Sequence, residues 1–257
     1  PLLLKIVQLY LNYIPRAEQR EEALQNAFNI AERVRMHAPQ INLVQEATSM
    51  QSLIHLMRGN AEAVLELLGT EPDLDYGVEQ VIITAHTMLG NVEMAKEIAQ
   101  ISMFQKLFSF ISLSIESLLL HLDRPLFFKQ TVERIEVILN EYNIPALQPN
   151  AAFLFYFKAA TGYMMLQQHE KAIAMLEKYV ESCEKCVFPI SLKGDEYFYL
   201  FDNWIHRQGQ VMTQAPRDEQ SIKNDLVREI ESNPVFAPLH EEEVFQQLLN
   251  KLKRILQ

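Results

Sequence analysis

Three stretches of this chain share one pattern of breaks: "MRGNAEAVLELL" (57–68), "MLGNVEMAKEIA" (88–99) and "MLQQHEKAIAML" (165–176). Each reads as a helix end, a short polar turn, and a new helix with a small residue early and an aliphatic residue four positions later. A chain built this way must double back repeatedly, which lays helices side by side in pairs. "YIPRAEQREEALQNAF" (13–28) is a looser copy. With Ala23, Val64, Ala95 and Ala172 as equivalents, the intervals are 41, 31 and 77 residues. The last leaves room for two repeats, with one around 104–142 between them, and the mean period is about 37 residues.

The rest of the chain agrees. Apolar residues recur at spacings of three and four, the helical period. Helices are expected at about 2–14, closed by Pro15, then at 17–36, followed by Pro39, and at 41–59. Gly59-Asn60 and Gly90-Asn91 read as helix stops, because both residue types reach the left-handed conformation at little cost. Pro125, Pro145, Pro149 and Pro189 punctuate the remainder. Seven glycines and 11 prolines in 257 residues are few turn formers for a sandwich or a nucleotide-binding sheet. The best copy of the repeat, 153–179, resembles the tetratricopeptide pattern at Tyr156, Ala160, Tyr163, Ala172 and Leu176. Small side chains at 160 and 172 let two helices approach, and Tyr156 and Tyr163 fill the gap to the next pair. The expected fold is all-α: one domain over 1–257, a tetratricopeptide-like α-solenoid of antiparallel helix hairpins stacked as a superhelical array.

Composition and motifs narrow the chemistry. With 33 acids against 23 bases and a net charge of −10, the chain lacks the cationic surface that grips phosphates. The most apolar stretch, "LFSFISLSIESLLLHL" (107–122), is broken by Ser109, Ser112, Ser114, Glu116 and Ser117, so it reads as a buried helix and no membrane association is expected. The N-terminal "PLLLKIVQLYL" lacks a signal peptide's basic start and small-residue cleavage site, which makes cytoplasmic the expected location. Cys183 and Cys186 form a lone C-x-x-C where a structural zinc site wants four ligands; a helix end with one buried and one partly exposed thiol is expected. The seven histidines are scattered, though His55 and His86 occupy equivalent places before Gly59 and Gly90. No nucleophile elbow, phosphate loop or dinucleotide fingerprint occurs. No catalytic residue, metal ligand or cofactor is assigned.

Two C-terminal segments stand out. "GDEYFYLFDNW" (194–204) has five aromatic residues in eleven. As a helix it would place Tyr197, Phe201 and Trp204 on one face, with Phe198 and Ile205 beside them and Asp195 in the first turn. That face reads as packed core, with an aromatic cage for a cation or a hydrophobic groove as the other reading. After it, 206–220 is loop-like, and 218–232 reads as a helix with Asp218 as N-cap. "PLHEEEVFQQLLNKLKRIL" (238–256) reads as a capping helix, acidic at its start and basic at its end, with Leu248, Leu249, Leu252 and Leu256 inward.

The repeats, the aromatic stretch and the tail together resemble the C-terminal regulatory region of helix-turn-helix transcriptional regulators of Gram-positive bacteria, of the Rgg and PlcR types. The residues that carry the resemblance are 194–204, "APRDEQSIKNDL" (215–226), "NPVFAPLHEEEVFQQLLNKL" (233–252) and "AATGYMMLQQHEKAIAMLEKY" (159–179). It implies an intracellular sensor that binds a short peptide or other small effector on a concave face and forms a homodimer. DNA would be met only through an N-terminal domain outside this chain, an expectation that Pro1 as first residue suggests. By helical position, Asn12, Gln51, His55, His86, Asn150 and Tyr156 are expected to face the groove. The alternative is a tetratricopeptide-like protein-interaction scaffold with no DNA-binding role.

Overall fold

The computed structural model describes residues 1–12, 17–71, 77–208 and 219–257. About 80% of the chain is helical, and no β-strand occurs among the described residues. The all-α expectation therefore holds. Where one array over 1–257 was expected, the chain divides into two compact units, Pro1–Tyr76 and Gly77–Gln257.

The first unit holds α1 (Leu2–Asn12), α2 (Ala17–His37), α3 (Ile41–Met57) and α4 (Ala61–Leu68). Its core takes Leu4 and Val7 from α1, Leu24 and Val34 from α2, and Leu43, Met50 and Ile54 from α3. Ala27, Ala31 and Ala47 are fully buried. Without bulk beyond Cβ, they let α2 and α3 pack closely. Helix α4 is different: it buries none of its residues. Val64, the expected equivalent of Ala23, Ala95 and Ala172, is accordingly only half-buried, whereas those three alanines are buried.

The second unit runs α5 (Val78–Met88), α6 (Val92–Leu120), α7 (Pro125–Glu141), α8 (Ile144–Leu147), α9 (Pro149–Met165), α10 (His169–Lys185), α11 (Phe201–Gln208) and α12 (Glu219–Glu231). A 3-10 turn, Pro234–Leu239, leads into α13 (Glu243–Ile255). Pro125 and Pro149 stand at helix starts, where a missing N–H costs nothing. The centre is the α9–α10 hairpin, packed by α6, by α8 and by α13. Ala159, Ala160 and Ala172 are fully buried there. Gly162 goes further: a Cβ added to it would lie 2.4 Å from the Phe128 ring on α7.

The three turns read from the sequence share one geometry. Asn60, Asn91 and Gln168 each donate a backbone N–H to the carbonyl five residues back, on His55 (2.9 Å), His86 (2.8 Å) and Tyr163 (2.8 Å). The residue before each is left-handed: Gly59 at φ 74°, Gly90 at φ 75° and Gln167 at φ 56°. This six-to-one closure satisfies carbonyls that a helix C-terminus leaves unpaired. Asn60 also accepts the Ala63 N–H at 3.1 Å and so starts α4.

Four expectations need correction. No hairpin begins near 104, because α6 runs unbroken from Val92 to Leu120; nothing between those residues is Gly or Pro. Its C-terminal half and α7 take the place of the expected repeat. Nor is α6 buried all round. Ile111, Ile115 and Leu118 are core, but Phe110, Leu113 and Leu120 are exposed. By length and composition alone α6 is apolar enough to cross a membrane, with a mean hydropathy of 1.3 over its best window. The stretch 194–204 is not one helix: a turn occupies 194–200 and α11 starts at Phe201. Finally, the C-terminal helix begins at Glu243, not near 238, since Pro234 and Pro238 hold the preceding residues in the tighter 3-10 turn. Glu241 and Glu242 precede it, while Lys253 and Arg254 lie in its last turn. Leu249, Leu252 and Leu256 are buried against the core, as expected of the inward side. Helix α12 matches its expected span, but Pro15, Gly209, Pro216 and the Asp218 cap lie outside the described residues, as does most of the 206–220 loop.

Candidate functional site

The six residues expected to line one groove are divided between the units. Asn12 ends α1, and its side chain lies outside the described residues. Gln51 and His55 are one turn apart on α3. His86 is near the end of α5, Asn150 is exposed at the start of α9, and Tyr156 is buried within α9. Gln51 (1% exposed) and Tyr156 (4%) present no accessible wall. Both helices are packed on several sides, and positions that helical phase alone leaves free are covered by neighbours: α1, α2 and α4 around α3, and α6, α8 and α10 around α9.

Gln51 and His55 do belong to a polar seam in the first unit. Arg58, at the end of α3, donates to Glu21 Oε1 (2.5 Å) and Gln25 Oε1 (2.9 Å) on α2. Its guanidinium lies 5.8 Å from the Phe28 ring centre, and the His55 ring meets Phe28 edge-on at 5.1 Å. Glu21, Gln25 and Phe28 thus form one stripe of α2, and Gln51, His55 and Arg58 the facing stripe of α3. Gln51 Oε1, His55 Nδ1 and Arg58 Nε are buried and find no hydrogen-bond partner among the described residues. Arg20 reaches the Met57 carbonyl at 3.3 Å, tying the start of α2 to the end of α3.

His86 has a lesser setting, with Nδ1 3.5 Å from Asn91 Nδ2. The residue in the same place in the α9–α10 hairpin is Tyr163, whose ring packs edge-on against Phe128 at 5.0 Å, with Lys171 Nζ 5.6 Å above it. Burial, with the Glu136 and Glu181 carboxylates nearby, pushes the Tyr156 hydroxyl up to about 12. Burial together with Glu133 and Glu136 raises Tyr163 as well. Tyr163 fills the space toward α7, as the sequence suggested, while the buried Tyr156 ring meets Phe155 of its own helix at 5.1 Å. The deeper Tyr179, missed by sequence reasoning, donates its hydroxyl to the Leu226 carbonyl at 3.0 Å and fastens α12 to α10. Only its spacing of seven from Ala172 marked it as inward.

The aromatic stretch is held from α6. Gln100 donates Nε2 to the Tyr197 carbonyl at 2.7 Å, and Arg207 pairs with Glu97. Asp195 accepts the backbone N–H groups of Tyr197 (3.0 Å) and Phe198 (2.8 Å), an Asx turn rather than a first helical turn. Phe198, Phe201 and Ile205 are buried. Phe104 of α6 stacks on Phe201 at 3.9 Å and meets Phe198 edge-on at 5.1 Å. Gly194 is required here, because an added Cβ would lie 2.3 Å from the Phe198 carbonyl oxygen. Tyr197 and Tyr199 remain exposed. The core reading therefore fits the phenylalanines, and the surface is left to the tyrosines.

The thiols lie as expected, Cys183 buried and Cys186 half-buried. Burial raises Cys183 strongly and pushes Cys186 up to about 11, with Lys193 pulling the other way. Among the described residues no group of three or more His, Cys, Asp or Glu is placed to hold a metal ion. Compared with protein-family models, curated proteins and solved structures, the chain matches none.

Proposed function

We propose that this chain is the effector-sensing and dimerising part of a cytoplasmic bacterial transcriptional regulator, and that it takes a short peptide or another small ligand on a helical-repeat surface. The observation that carries the reading is the shared turn after α3, α5 and α9, with its left-handed residue and six-to-one hydrogen bond. One turn used three times is how a chain repeats a hairpin. Two ion pairs support the same reading. Glu116 of α6 pairs with Lys158 of α9, and Glu136 of α7 with Lys178 of α10, both across 42 residues. The α6–α7 pair is thus tied to the α9–α10 hairpin at one offset, with α6 serving both as the second helix after the α5 turn and as the first helix before α7. Stacked hairpins offer a ligand polar side chains on one surface, and a ligand that prefers one packing of the hairpins shifts the population toward it.

The test is native mass spectrometry of protein purified from its host extract, with light scattering on the same sample. A co-purifying peptide on a dimer supports the reading; a monomer that carries only large protein partners refutes it. One observation favours the second reading, an interaction scaffold. Helix α5 buries none of its residues and exposes Val78, Val81 and Met88, with Leu89 at its end. Apolar exposure on that scale suits a macromolecular partner.

A further inference from the structure

The exposed tyrosines form a corner that the core reading does not use. Tyr142 ends α7 and Tyr197 lies in the turn before α11; their ring centres are 5.8 Å apart at an interplanar angle of 72°. Both rest on buried Phe198, Tyr197 edge-on at 4.8 Å and Tyr142 stacked at 6.3 Å. The backbone beneath them is fixed by Gln100 and by the Asp195 turn. Even so, 36% of Tyr142 and 51% of Tyr197 stay exposed. Next to each ring in the chain is an exposed acid, Glu141 and Glu196, and neither joins an ion pair among the described residues. The cations nearby on α6 and α11 are already taken, Lys96 by Glu93 and Arg207 by Glu97.

We propose that this corner receives an arginine side chain of the peptide effector. Aromatic faces attract a cation through their negative quadrupole. A planar guanidinium can lie on one ring while its N–H groups reach a carboxylate, which an ammonium does less well. Two rings near a right angle on a fixed turn offer the aromatic face, and Glu141 and Glu196, each adjacent in sequence, exposed and outside any ion pair among the described residues, offer a carboxylate. The chain's net charge of −10 draws a basic peptide toward it. The inference rests on the peptide-sensing reading for the nature of its occupant and goes beyond it in naming the place and the chemistry.

The experiment is an NMR titration of the full chain, tyrosine rings labelled, with Nα-acetyl-arginine methylamide and, separately, its uncharged norleucine counterpart. The arginine probe is expected to move the Tyr142 and Tyr197 ring signals, and the norleucine probe to leave them in place. Tyr197→Ala should weaken the arginine probe about two- to five-fold, the range of an exposed cation–π contact. Tyr197→Phe should retain binding, and Glu196→Gln should lose part of it. Equal shifts from both probes, no shift from arginine, or an unaffected Tyr197→Ala would overturn the proposal. A peptide that co-purifies while the arginine probe leaves both rings unmoved sinks the corner and spares the sensor. Ring shifts without any co-purifying peptide support the corner and count against the sensor.

Discussion

Gly162→Ala sets two known effects against each other, and the structure says which wins. In a helix interior alanine is favoured over glycine by about 1 kcal/mol, so on propensity alone the change stabilises α9. The new Cβ, however, would lie 2.4 and 2.5 Å from Phe128 Cε2 and Cζ and 3.5 Å from Leu119 Cδ2. Phe128 is fully buried and held edge-on by Tyr163, so its ring has no free volume to move into. Overpacking a filled core costs about 1–3 kcal/mol, and a contact this short belongs to the upper part of that range. The expected net effect is a loss of about 1–2 kcal/mol. Urea unfolding followed by circular dichroism measures it. Phe128→Leu removes the ring edge that the methyl would meet, so Gly162→Ala should cost much less on that background, a coupling visible in a double-mutant cycle. If Gly162→Ala alone stabilises the protein, or costs the same whether or not Phe128→Leu is present, the close approach of α7 and α9 at this point is wrong.

Other outcomes follow from the same packing. Tyr179→Phe should cost about 0.5–1.5 kcal/mol, the net worth of one hydrogen bond, since the Leu226 carbonyl lies within α12 and keeps its helical donor; the loss is read from the urea midpoint. The Tyr156 hydroxyl is held above its ordinary value of 10. Its contribution to stability is therefore complete below pH 10 and lost as pH rises toward about 12, where the folded state ionises too; tyrosinate absorbance alongside unfolding would show a group of buried phenols, Tyr156, Tyr163 and Tyr179, titrating later than the rest. Cys186, pushed up to about 11, stays largely protonated at neutral pH, so iodoacetamide should label it slowly in the native protein and Cys183 only after unfolding. Gly194→Ala should disturb the turn at 194–200 and change the emission of Trp204, the only tryptophan, whose ring centre lies 5.7 Å from that of Phe201.

How much of this was legible in the residues depends on the range of the interaction. Gly59 and Gly90 announced left-handed stops because that preference is local, and α2 and α12 followed from helical periodicity. Gln167 announced nothing, since a glutamine at positive φ is chosen by the hairpin around it. The break in 194–204 was hidden for a related reason. Tyr197, Phe201 and Trp204 would share a helical face there, but Asp195 and Asp202 bond backbone N–H groups at 194, 197 and 198, and that competition is decided by Gln100 from nearly a hundred residues away. The candidate groove residues suffered most. Helical phase shows which residues share a face, but whether another helix covers that face is set by contacts distant in sequence, as at Gln51 and Tyr156. The Tyr142–Tyr197 corner joins residues from different elements, and no local pattern could bring them together.

Helix α6 carries a mechanical consequence. At about 1.5 Å per residue its 29 residues make a strut roughly 43 Å long, without a glycine or proline at which to flex. Its first half holds α5, the aromatic turn and α11 through Glu97, Gln100 and Phe104; its far end is embedded beside α7 and α9. A push or twist delivered at the tyrosine end cannot dissipate at a joint along the way. It must arrive at the α9–α10 hairpin as displacement of a stiff lever.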